Sequence, residues 1–242
     1  MIDITDLGTV LGVWAHPDDE TFLTAGLMAL ARAGGHRVVC ATATRGEHGT
    51  DDPDGWPPAR LGRLREYELA AALAALDVHE HTWLGFVDGG CAAVPAALGA
   101  RAVRRLLDDV RPDTVVTFGP DGFTGHDDHR AVSGWVDAAL AGHGRAVRLL
   151  HPTVTPAFTA RFGPLNDRFA VFGPGLPATR REDELALHLR LAEDVLDRKV
   201  AALRAQASQI GPLHDAVGHD VFRSWWGTES FLPAPVAADR AA

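Results

Sequence analysis

Short apolar runs alternate with helical patterns along most of this chain, and this alternation narrows its fold more than any other feature. Apolar runs typical of buried strands lie at residues 9–15, 37–43, 81–84, 114–118 and 146–154. Helical patterns lie at about residues 20–33, 59–76, 96–110, 126–141 and 184–208. Strands that alternate with helices favour a mostly parallel sheet covered by helices on both faces. We therefore expect a three-layer α/β/α fold.

The length and net charge of the chain limit its domain organisation and its binding partners. A chain of 242 residues without an internal repeat or a separating linker is predicted to form a single domain over residues 1–242. The net charge of −9 argues against binding to nucleic acid or to an anionic membrane surface. No apolar run reaches the 18 residues that would predict a membrane-spanning helix. The sequence leaves the oligomeric state open, and a homo-oligomer is compatible with it.

The cysteines and the N-terminus bear on the cellular setting. Only Cys40 and Cys91 are present, and they form no CxxC pair. The first six residues are acidic rather than basic, and the apolar stretch that follows has no cleavage-site pattern. We expect a reduced, cytoplasmic setting.

Several chemistries are disfavoured by missing residues. Lys199 is the only lysine and lies in a C-terminal helical pattern, which argues against Schiff-base catalysis. None of the four serines lies in a GxSxG turn, and neither GxGxxG nor GxxxxGK[ST] occurs. Histidine and aspartate remain as the candidate chemical groups.

The first candidate cluster is His16-Pro-Asp18-Asp19-Glu20, directly after the first predicted strand. Ligands of open α/β sheets bind beyond the carboxyl ends of the strands. Three consecutive carboxylates repel one another unless a cation lies between them, and a divalent metal ion would relieve this repulsion. The alternative is that the acidic residues only cap the next helix.

The second candidate cluster is His126-Asp-Asp128-His129, which follows the strand at 114–118. On a helix His126 and His129 share a face, and the same sheet edge can present both clusters to one pocket. Two histidines and one aspartate leave a coordination position open for water, as a catalytic zinc site requires. A solvated helix start is the alternative.

The third candidate is a pair of charges on the helix at 59–76. Arg65 and Glu68 fall within its apolar arc, where an ion pair is costly unless it lines a cleft. We interpret Arg65 as reaching the pocket, with Glu68 orienting it. The alternative is a purely structural salt bridge.

These clusters resemble the LmbE-like, or PIG-L, N-acetylglucosaminyl deacetylase family. Ala15-His-Pro-Asp-Asp-Glu20 is similar to its first motif, and Gly125-His-Asp-Asp-His129 to its GHxDH motif. Weaker similarity includes Thr44-Arg-Gly-Glu47 and Lys199 through Gln209, so that the likeness covers about residues 9–232.

The resemblance implies a Rossmann-like fold and a zinc-dependent deacetylase. It implies that His16, Asp19 and His129 bind the metal and that Asp18 is the general base for the attacking water. It implies further roles outside the metal site. His126 would stabilise the oxyanion or protonate the leaving amine, Asp128 would orient His126, and Arg65 and Asp88 would position substrate.

The sequence departs from the family pattern at three positions. Asp127 stands where a proline is usual, which adds a negative charge at the rim of the site. Thr124 stands where some relatives place a tyrosine, and Gln206 replaces a frequent histidine.

The leading hypothesis is a metal-dependent hydrolase that removes an N-acetyl or other N-acyl group from a small amino-sugar substrate or its conjugate. Zinc suits the ligands, with Fe²⁺, Co²⁺ and Mn²⁺ as alternatives. An amidase acting on a non-sugar amide is a close variant. Two histidines and a carboxylate also occur in non-haem Fe(II) oxygenases, and a non-catalytic metal-binding module is a third alternative. We expect specificity to reside in loops 44–58, 85–95 and 119–125.

Overall fold

A seven-stranded sheet forms the centre of the computed structural model, which describes residues 2–172 and 177–234. The strands are β1 (Val10–Trp14), β2 (Val38–Thr42), β3 (Glu80–Trp83), β4 (Thr114–Val116), β5 (Arg148–Thr153), β6 (Leu187–Arg190) and β7 (Thr228–Ala234). Their order is β3-β2-β1-β4-β5-β7-β6. The first five are mutually parallel, and β7 runs antiparallel to both β5 and β6. The prediction of a mostly parallel sheet is confirmed.

Helices flank this sheet in the described part of the chain. They are α1 (Asp19–Ala33), α2 (Pro58–Ala75), α3 (Ala96–Val110), α4 (Gly122–Gly125), α5 (Asp127–Leu140), α6 (Pro156–Phe169), α7 (Glu193–Ala205), α8 (Ala207–Val217) and α9 (His219–Trp225). Helix α7 packs against α1 and α2, and α3 packs against α5. The three-layer α/β/α prediction is therefore confirmed.

The central strands create a topological switch point. From β1 the chain moves to β2 on one side, and it later returns to β4 on the other side of β1. Strands β1, β2 and β4 are fully buried, as expected for parallel strands covered on both faces. Open α/β sheets bind ligands outside the carboxyl ends of the strands at such a point. Both candidate clusters follow these strands.

The single long helix predicted over residues 184–208 is wrong. Residues Leu187–Arg190 form strand β6, and helix α7 begins only at Glu193. Leucine occupies every second position from 185 to 191, which is the period of a strand rather than of a helix. Main-chain pairing with β7 selects the strand. The loop expected at 119–125 also contains the short helical turn α4.

Two further observations concern the predicted setting. None of the helices formed by the described residues combines the length and apolarity that a bilayer crossing requires. Cys40 and Cys91 are both free thiols and both buried. Two expectations remain predictions: a single domain over residues 1–242, and a homo-oligomer.

Candidate metal centre

The candidate site lies in a cleft of about 740 Å³ at the switch point. His16 follows β1, Asp19 begins α1, and His129 lies in the first turn of α5. All three side chains line the cleft, as do Asp18, Arg65, Asp88 and His126. The carboxyl ends of β1 and β4 thus bring together two clusters that are more than a hundred residues apart in sequence.

The three predicted metal ligands converge on one point. Nδ1 of His16 lies 3.2 Å from Nε2 of His129. One oxygen of Asp19 lies 3.3 Å from Nε2 of His129, and the other lies 3.7 Å from Nδ1 of His16. Tetrahedral coordination at about 2.0–2.2 Å separates ligand atoms by roughly 3.3–3.6 Å. The spacing therefore fits a divalent metal ion.

The protonation of His129 supports the same conclusion. Its Nδ1 lies 3.0 Å from the carbonyl oxygen of Gly122, which can only accept a hydrogen bond. Burial lowers the pKa of His129 to about 4, so that the ring is neutral and Nδ1 carries the proton. Its ring is also stacked on Phe118 at 4.0 Å. The lone pair of Nε2 consequently faces the Asp19 carboxylate, which is an arrangement that a cation stabilises.

Two carboxylates fix the orientation of His16. Its Nε2 lies 3.0 Å from Asp88 and 3.3 Å from Asp128. Burial lowers the pKa of His16, but hydrogen bonds to Asp128 and Asp88 together with the charge of Asp19 outweigh it and raise the pKa to about 10. The two carboxylates therefore hold the Nε2–H, as carboxylate–histidine pairs do in metal sites. At this pKa Nδ1 also carries a proton at neutral pH, and a metal ion bound at Nδ1 would displace it.

Asp128 is completely buried, and its carboxylate accepts from the backbone N–H groups of Gly89 and Cys91 at 2.8 and 2.9 Å. Burial opposes its ionisation, but hydrogen bonds from His16 and Gly89 outweigh this effect and lower its pKa. We expected Asp128 to orient His126. In the structure its carboxylate lies 3.3 Å from Nε2 of His16, and it is the backbone N–H of Asp128 that donates to His126.

Asp18 and Arg65 form the second part of the site. The guanidinium of Arg65 lies 2.9 Å from Asp18 and donates to the carbonyl oxygens of Gly46, at 2.8 Å, and Pro17. Burial raises the pKa of Asp18 to about 6, and the charge of Arg65 opposes this rise. Asp18 also has a φ of 106°, which is strained for a residue with a side chain. Such strain is characteristic of functional sites.

The inward direction of Arg65 agrees with the sequence interpretation, but the role expected for Glu68 is wrong. Glu68 accepts hydrogen bonds from the backbone N–H and the hydroxyl of Ser208 at 2.7 and 2.6 Å. Within the described residues, the ion pair of Arg65 is with Asp18. Glu68 thus joins α2 to α8, a long-range contact that helical spacing does not reveal.

His126 stands at the N-terminus of α5 with its ring 4.9 Å from those of His16 and His129. Its Nδ1 accepts from the backbone N–H of Asp128 at 3.1 Å. Burial and the two neighbouring histidines lower its pKa. The neutral ring therefore carries its proton on Nε2, where it can be donated to a ligand in the cleft.

Each of the three residues that depart from the family pattern contacts a neighbouring side chain. Asp127 is exposed and lies 3.5 Å from Arg130, which offsets its charge. The hydroxyl of Thr124 is 3.4 Å from Nδ1 of His129. The amide of Gln206 donates to Glu20 and to Thr21 at 2.7 and 2.8 Å beneath the site.

Several lining residues were not found from the sequence. Each of the three predicted loops contributes to the cleft, through His48, Asp88 and Phe123 among others. The lining residues outside these loops and clusters are Phe22, Leu23, Arg130, Val171, Phe172 and Gln209. Phe22 and Leu23 could have been found, because they lie three and four residues after Asp19 on one helix face.

The fold and the donor set define a metal-dependent hydrolase built on a Rossmann-like sheet. Residues 11–140 match the family described as PIG-L: GlcNAc-PI de-N-acetylase, and the chain belongs to this family.

Two relatives agree with this assignment, and a solved structure shares the fold. The chain is 36% identical over 233 residues to a 1D-myo-inositol 2-acetamido-2-deoxy-alpha-D-glucopyranoside deacetylase of Nakamurella multipartita, covering 83% of this chain and 79% of the relative. A protein of the same name from Nocardia farcinica is 37% identical, with 85% and 82% covered. The N,N'-diacetylchitobiose deacetylase from Pyrococcus horikoshii shares the fold, with a TM-score of 0.66 at 19% identity over 96% of this chain and 85% of that one.

Proposed function

We propose that this protein is a zinc-dependent N-deacetylase that hydrolyses the acetamido group of a 2-acetamido-2-deoxyglucoside. The observation that carries the proposal is the convergence of the ligand atoms of His16, Asp19 and His129, beside the Asp18 carboxylate, in one cleft. The relatives from Nakamurella and Nocardia, which are named as deacetylases of an inositol glycoside, support this substrate class.

His16, Asp19 and His129 would hold the metal ion. Zinc there would polarise the amide carbonyl and lower the pKa of water. Fe²⁺, Co²⁺ and Mn²⁺ are the alternatives for a site of nitrogen and oxygen donors.

The protein's own groups move the protons. Asp18 accepts a proton from the attacking water, and its pKa of about 6 leaves it ionised at neutral pH. The Nε2–H of His126 donates a hydrogen bond to the oxyanion. The proton that Asp18 took from water passes to the leaving nitrogen as the C–N bond breaks, which yields acetate and the free amine. Arg65 holds Asp18 in place, and Asp128 positions His16. Asp88 positions His16 and also lies where it can bind a sugar hydroxyl.

The test is release of free amine from a panel of N-acetylglucosamine glycosides by the zinc-loaded protein. We expect release that a chelator abolishes. Asp18→Asn should lose turnover and keep its metal, whereas Asp127→Asn, the same change at an exposed carboxylate, should remain active. Absence of release from protein with stoichiometric metal would overturn the substrate class.

The alternatives can be ranked. An amidase acting on a non-sugar amide uses the same groups and is separated only by the substrate panel. The non-haem oxygenase and the non-catalytic module have no support from a family of hydrolases. The proposal also includes a cytoplasmic location and a small amino-sugar substrate.

A further inference from the structure

One wall of the catalytic cleft is apolar. It consists of Phe22, Leu23, Phe123, Val171 and Phe172, which we call the apolar wall. Phe22 and Leu23 are only partly buried and line the cleft, so that their side chains are accessible from it. An apolar surface inside a binding cleft is stabilised when a ligand covers it.

The apolar wall begins next to the candidate metal ligands. Phe22 and Leu23 follow Asp19 by three and four residues on α1, which places all three side chains on one face of the helix. A helical turn rises about 5.4 Å, so that the wall starts about one turn from the metal position. A group attached close to the hydrolysed amide can reach it.

Phe123 occupies the wall at a conformational cost. Its φ of 63° lies in the left-handed region, which a bulky residue rarely adopts. The side chain is nonetheless buried and packs edge-on against Phe172, with ring centroids 5.7 Å apart. Strained residues persist where the surroundings hold them and are concentrated at ligand sites.

A second, small cavity of about 30 Å³ adjoins the apolar wall, and its lining also includes the polar residues Thr153, Thr228, Glu229 and Ser230. Phe22, Leu23, Phe123 and Phe172 line both this cavity and the cleft. Its other lining residues include Val154, Phe158 and Trp226, and the ring of Trp226 lies 4.6 Å from that of Phe22. These rings therefore lie between the cleft and the small cavity.

We propose that the apolar wall binds an apolar group of the substrate, so that the protein acts on an amino-sugar conjugate with a hydrocarbon portion. This inference rests on the proposed hydrolysis of an amino-sugar amide and adds a hydrocarbon group to its substrate. An N-acyl chain longer than acetyl would replace the acetyl group of the proposed substrate. The hydrocarbon is carried either by the aglycone or by an N-acyl chain longer than acetyl. Both place methylene groups within reach of Phe22 and Leu23.

The deciding experiment compares two matched substrate series with the zinc-loaded protein. The first is N-acetylglucosamine with methyl, propyl and butyl aglycones, and the second is the methyl glycoside with acetyl, butanoyl and pentanoyl groups on nitrogen. Burial of one methylene corresponds to about 0.8 kcal/mol, or roughly a fourfold rise in kcat/KM. A rise in the first series assigns the wall to the aglycone, and a rise in the second assigns it to the acyl chain. Flat kcat/KM in both series overturns the inference and leaves the deacetylase proposal intact.

Binding to the same zinc-loaded protein separates the two proposals if no substrate is hydrolysed. Calorimetry with methyl and butyl glucosaminides, and with acetate and pentanoate, measures the apolar contribution without turnover. Tighter binding of the longer member of either pair supports the wall even if the deacetylase proposal fails. Equal affinities within both pairs overturn the inference.

Variants locate the effect. Leu23→Ser and, separately, Phe22→Ser should lower the ratio of long-chain to short-chain affinity at least threefold. Leu98→Ser, the matched change at an exposed leucine of α3 outside the cleft, should leave this ratio unchanged. A ratio that persists in both cleft variants contradicts the assignment to the apolar wall.

Discussion

Replacing Lys199, the only lysine of the chain, by methionine should destabilise the fold through a buried ion pair. Nζ of Lys199 lies 2.7 Å from Glu229, and each side chain is only 1% exposed. Lys199 also donates to the carbonyl oxygen of Phe22 at 2.9 Å. Glu229 accepts from the backbone N–H groups of Gly26 and Leu27 at 2.7 and 2.8 Å. The pair therefore joins α7 and β7 to the helix that begins with Asp19.

The magnitude follows from what Lys199→Met leaves behind. Methionine retains the apolar stem, but it removes the cation and the donor to Phe22. Loss of one partner of a buried pair costs about 3–5 kcal/mol. We expect about 3 kcal/mol, because two backbone donors still stabilise the Glu229 carboxylate. Lys199→Met/Glu229→Gln removes the buried charge, and its cost should be less than the sum of the two single variants by about 1 kcal/mol or more.

Urea unfolding of the chelated protein provides the assay, because bound metal would add its own stabilisation. The matched control is Arg181→Met, which breaks an ion pair whose side chains are 74% and 61% exposed and should cause no measurable loss. A free energy of unfolding for Lys199→Met within about 1 kcal/mol of wild type would refute the reasoning, as would strict additivity in the double variant.

Three further predictions concern the site and the sheet. Arg65→Lys should lower kcat/KM at least tenfold, because one ammonium group cannot donate to Gly46, Pro17 and Asp18 together. The pKa of Asp18, about 6, should rise further and move the acid limb of the pH profile of kcat/KM upwards; an unmoved limb would contradict this. Removal of the metal should lower the melting temperature, and zinc at about 100 times its Kd should restore about 2.7 kcal/mol, whereas His129→Ala should show no response to zinc. Burial lowers the pKa of His81 to about 4, from 6.5 for a free histidine, so that the folded state binds fewer protons than the unfolded one between these values. This contribution to the free energy of unfolding is present above pH 6.5 and is lost as the pH falls towards 4. In urea unfolding, the free energy of unfolding of His81→Gln should therefore fall less steeply with pH over that range than that of wild type; equal slopes would show that His81 does not contribute.

Sequence patterns predicted much of the fold because the period of apolar residues is a local property. The strands at 10–14 and 38–42 and the helices at 19–33 and 58–75 lie close to the predicted positions. Where the pattern was ambiguous, a partner distant in sequence decided the outcome. Residues Leu187–Arg190, within the alternating leucines, form a strand because β7 lies beside them. No element was predicted over residues 155–183, yet α6 lies within them.

The sequence by itself also determined which groups face one another at the sheet edge. His16, Asp19 and His129 follow neighbouring strands, and parallel strands deliver the residues after them to the same edge. Only the tertiary structure decided the partner of each side chain. Asp128 binds His16, Glu68 binds Ser208, and Phe22 lines the cleft because helices and loops from distant parts of the chain pack around them. A hydrogen bond depends on atoms a few ångströms apart, whereas sequence spacing specifies only which face of an element a residue occupies.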